Sequence, residues 1–168
     1  MSVETTKVES VSDRAAALGL ASPTSLALLP RNFFDAKDPG DLIHEAHATT
    51  IRKLWAEKAL PETPVEEPGK ALPAVVEHSA DWIAPTVFVS SMLLSNTPEL
   101  VSVAIGVIAN YATDFLKGRH GEPTVRLDVV VEKSKSKSCQ KISYTGPVKG
   151  LDDLPDIVRE VGSLDDPQ

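Results

Sequence analysis

Between Trp82 and Leu116 the chain runs 35 residues with only two formal charges, Glu99 and Asp114, whereas the sequence on either side mixes apolar and polar positions. This stretch reads as two apolar helices, over 82–96 and 98–116, joined at Asn96-Thr97-Pro98. In the second, Ser102, Gly106, Asn110, Thr113 or Asp114, and Lys117 recur every three to four residues and form one narrow stripe. Every other direction carries large apolar side chains, among them Val101, Ile105, Ile108 and Phe115. A helix apolar on three sides is central in its fold or buried in an oligomer. On the stripe, Gly106 would let a second backbone approach, and a covered Asn110 would then need a hydrogen-bond partner. The expected interface is therefore Ser102, Val103, Gly106, Val107, Asn110 and Tyr111.

A different period follows. Thr124–Glu132 alternates strictly, with Val125, Leu127, Val129 and Val131 on one face and Arg126, Asp128, Val130 and Glu132 on the other, which predicts a half-buried strand. Ile142 and Tyr144 mark a second strand over 140–145, and the Lys-Ser repeat between them makes a polar hairpin tip. Two strands alone are marginal, so the hairpin 124–145 must lie on helices or gain strands from a partner. The segment 151–162 reads as a short closing helix with Pro155 in its first turn and Gly162 as its stop.

Patterning is weaker before Trp82. Residues 1–11 read as a polar, mobile tail. Ser12-Asp13 suits a cap for a short helix ending at Gly19, and the apolar run between Pro23 and Pro30 is too short to classify by period. Asp38 as N-cap, Pro39 at the first position and Asp41 in the first turn predict a helix running to about Ala59. Its buried face would be Ile43, His47, Ile51, Leu54 and Trp55, leaving Glu45, Arg52 and Lys53 in solvent. Residues 61–73 hold four prolines and read as an extended connector, with Glu66-Glu67 a solvated pair. The organisation expected is a tail (1–11), a helical N-terminal part (12–60), the connector (61–73), an α+β core (74–162) and a C-terminal tail (163–168). The N-terminal part has too few large apolar residues for a core of its own, so the whole reads as one α+β domain: helical N-terminal part and apolar helix pair packed with a C-terminal β-hairpin and a closing helix.

Charge adds an asymmetry. The net charge is −7, yet residues 117–149 sum to +5, leaving −12 elsewhere. Such a lobe can steer an acidic partner or pair head to tail with an acidic body. Lys133, Lys135, Lys137 and Lys141 are the candidate anion contacts. Too few aromatic platforms or arginines accompany them for sequence-specific nucleic-acid reading. The lone Cys139 permits no internal disulfide and could be activated by the neighbouring lysines. With an acidic N-terminus in place of a signal peptide, it favours a cytoplasmic location.

Catalytic chemistry is poorly supported. His44 and His47 lie three apart on the expected helix, a weak metal pair lacking a third ligand, and do not match H-E-x-x-H. Glu77-His78-Ser79-Ala80-Asp81 holds the residue types of a hydrolytic triad, but chain neighbours point apart, and Ser79 or Asp81 suits a helix cap better. No catalytic residue and no cofactor is expected. The uncharged runs, 17 and 14 residues long, fall short of the ~20 that span a bilayer. The leading expectation is a non-enzymatic interaction or assembly module, a homo-oligomer or partner-docking protein acting through 82–116 and 124–145. A membrane-active effector using 82–116 is the alternative, and a small hydrolase or metal-binding enzyme the third.

Overall fold

The computed structural model describes residues 2–67, 72–75, 82–119, 121, 123–133 and 136–163. Its frame is a six-stranded mixed sheet made of β1 (Ser2–Val8), β2 (Leu26–Leu29), β3 (Trp82–Ile83), β4 (Thr86–Val89), β5 (Val125–Glu132) and β6 (Cys139–Gly146), in the order β1-β6-β5-β4-β2 with β3 also on β5. The alternating segment and its shorter companion are the antiparallel pair β5–β6, in register from Val125 opposite Gly146 to Glu132 opposite Cys139. They are the centre of the sheet rather than an isolated hairpin, because β1 flanks β6 and β4 flanks β5.

Residues 82–96 do not form a helix. Trp82–Ile83 and Thr86–Val89 run parallel to β5, and only Ser91–Asn96 is helical (α3). Val87, Phe88 and Val89 are all buried. A strand covered on both faces shows a continuous apolar run, which has no period to distinguish it from a buried helix. Pro85 falls in the break between β3 and β4, where no ladder bond is required of it. The return from β4 to parallel β5 is made by α3 and α4 (Glu99–Phe115), since parallel neighbours need a crossover.

The α4 helix spends most of its apolar surface inside the chain. Val101, Ala104, Ile105, Ile108 and Ala112 join Val125, Leu127, Val129 and Val131 of β5 in one core, with Ile51 and Trp55 of α2 (Ala48–Glu57) and Leu154 and Val158 of α5 (Leu154–Ser163). Trp55 Nε1 donates to the Ala104 carbonyl at 3.2 Å, tying α2 to α4. Gly162, read as a stop, lies within the last turn of α5, where a Cβ would collide with Leu94. The other sheet face carries a second core, in which Val11 and Ala15 of α1 (Val11–Ala17) meet Ala27, Leu29, Phe33, Phe88 and Val130.

Two N-terminal expectations are corrected. Ser2–Val8 is not a tail but a strand paired with β6 along its whole length. Asp38 does cap, accepting from Gly40 N at 2.9 Å, but only a 3-10 turn over Pro39–Asp41 follows. His44 then pairs with the far end of the connector, its N–H donating to Pro73 O and its carbonyl accepting from Val75 N, so the helix waits until Ala48. Long-range backbone pairing outweighs the local helix-start signal.

Candidate interaction surface

The two edges of the sheet differ. At the β2 edge, Leu26 N donates to Pro61 O at 3.1 Å and Thr63 N to Leu26 O at 2.7 Å, so the proline-rich connector bridges the strand at Leu26. Thr63 Oγ1 also accepts from Thr24 N and Ser25 N, at 3.0 and 3.2 Å. All four β2 residues are buried. At the opposite edge, β1 bonds to β6 on one side, and no described strand lies on the other. Ser2 through Lys7 are exposed, and Val3 is among the exposed large apolar residues. A strand in this state presents a row of backbone donors and acceptors to any extended chain.

A partly buried ionic clamp holds the connector in place. Arg52 of α2 donates to Glu62 at 2.7 Å and to Glu66 at 2.5 Å, and Glu66 is also 3.2 Å from His44 Nε2. The Glu66 side chain is only 8% exposed and that of Arg52 29%, so both are corrected from solvated to structural. Glu45, expected in solvent, is buried 3.7 Å from Arg31. Burial opposes ionisation of Glu66, but hydrogen bonds from His44 and its own backbone amide, with Arg52 alongside, outweigh it and lower its carboxyl to about 2. Burial dominates at Glu62 and raises its carboxyl above the ordinary value.

The two histidines are not brought together as ligands. His44 faces Glu66, whereas His47 Nδ1 is 3.0 Å from Tyr111 Oη and its ring stacks on Trp82 with centroids 5.1 Å apart. Burial lowers the His47 pKa. Among the described residues no group of three or more His, Cys, Asp or Glu is placed to hold a metal ion. The segment 77–81 lies outside the described residues.

The six residues read as an interface on α4 divide. Ser102, Val103 and Asn110 face outward and Gly106 has open space where a Cβ would sit, while Val107 is buried in the core and Tyr111 is half-buried against His47. The stripe is thus the solvent side of a helix most of whose apolar surface has cover, with Val103 and Phe115 left exposed beside it. Ser102 Oγ accepts from Arg159 of α5 at 3.0 Å.

The three described lysines are dispersed as well. Lys133 is buried, and Lys135 lies outside the described residues. Lys137 donates to Ser91 Oγ at 3.0 Å and is 3.7 Å from Glu132, whose buried carboxylate also accepts from Ser91 N and Oγ at 3.1 and 2.9 Å. This trio, missed in the sequence because Ser91 was read as mid-helix, places a hydroxyl between an ammonium and a carboxylate. Ser91 is 4% exposed and both hydroxyl roles are in use, so the arrangement fastens the β5–β6 loop to the start of α3. Cys139 is not activated: burial pushes its thiol up to about 11. Among the three described lysines, Lys141 stands on the sheet face, half-buried.

No helix among the described residues is long and apolar enough to cross a membrane. No family model, curated protein or solved structure matches the chain.

Proposed function

We propose that the protein is a non-enzymatic assembly module that pairs with a second copy of itself through the outer edge of β1. The observation that carries this reading is the asymmetry of the sheet: the connector bridges one edge at Leu26, and the other leaves seven residues of strand bonded on one side only among the described residues. The class of function is the one the sequence suggests, but its surface moves from the helices to the sheet, because most of the apolar surface of α4 is covered within the chain.

The β1 sequence suits self-pairing. A two-fold axis perpendicular to the sheet keeps each face continuous, so residues of equal parity must stand opposite each other. The register that pairs all seven residues sets Ser2 against Val8, Val3 against Lys7, Glu4 against Thr6 and Thr5 against its own copy. Shifting it two residues one way would bring the Glu4 carboxylates together, and like charges directly opposed are destabilising. One strand edge buries less than the ~1,200–2,000 Å² of a standard stable interface, so the dimer is weak and forms with rising concentration. Each copy carries −7, so added salt strengthens it by screening. A size-resolved mass series over concentration, at low and moderate salt, tests this. The dimer fraction should grow with both; a monomer throughout would overturn the reading.

A further inference from the structure

We draw no further inference here: the strongest candidate, the cleft between the Asn110 and Thr113 side of α4 and the turn over 147–152, carries nothing, because its polar side chains Asn110, Thr113, Lys149 and Asp152 are all exposed and nothing in the structure shows what fills it.

Discussion

The two edges of one sheet solve the same physical problem in opposite ways. Every edge strand exposes unpaired backbone groups that invite another chain. At β2 the protein supplies that chain itself: the connector bonds to Leu26 at Pro61 and Thr63, and Arg52 grips Glu62 and Glu66 to keep it there. At β1 nothing comparable is present among the described residues; the strand carries Ser, Glu, Thr, Lys, the exposed Val3 and the half-buried Val8. Two uses follow from the difference. A closed edge belongs to stability, an open one to association, and changes at each should separate along that line.

The largest effect should come from releasing the clamp. Arg52→Met leaves two partly buried carboxylates facing each other without their guanidinium, at a cost of about 2 kcal/mol, below that of breaking a fully buried pair. Urea unfolding should show that loss. Hydrogen exchange should accelerate at Leu26 and Thr63 relative to β1 and β6, where a uniform change would deny the connector its role as edge cover.

Acid should act on the same clamp. Glu66 is held at about 2, below the ordinary 4.5, so its contribution is present above pH 4.5 and fades as pH falls toward 2. The loss should be roughly 2–3 kcal/mol, the free-energy equivalent of a shift of this size. Glu62 runs the other way: its raised carboxyl takes up a proton earlier in the fold than in the unfolded chain and offsets part of the loss. A Glu66→Gln variant should have a flatter acid limb; an unchanged limb would remove Glu66 from the account.

Thr63→Val should cost about 1 kcal/mol by leaving the Thr24 and Ser25 amides without their acceptor. Smaller still, Thr5→Glu on the open edge should move monomer stability by no more than about 0.5 kcal/mol, as an exposed change away from any buried contact. A larger loss measured below the association range would mean that β1 serves the fold more than the surface.

These contrasts also show what could be read from the residues. The α+β class was legible because β5 alternates strictly and α4 is long and apolar. β4 was not, since burial on both faces erases the period that separates strand from helix. β1 was invisible for the opposite reason: with only Val8 packed against a core, SVETTKV carries no apolar alternation, and its conformation comes from pairing with β6. The clamp was hidden because Arg52 and Glu66 are residue types that ordinarily face water, and only the folded connector brings them together. Lys137 was flagged for its charge, while its partners Glu132 and Ser91 lay in a strand end and a supposed helix.

The most direct test uses the residue that stands against itself in the β1 register. Thr5→Glu and Thr5→Lys each oppose like charges across the two-fold, so each variant alone should sediment as a monomer at concentrations where the parent chain dimerises. Mixed in equal amounts, they place glutamate against lysine, and the dimer should return. If the parent never dimerises, if either variant alone dimerises as well as the parent, or if the mixture stays monomeric, the β1 edge is not the assembly surface.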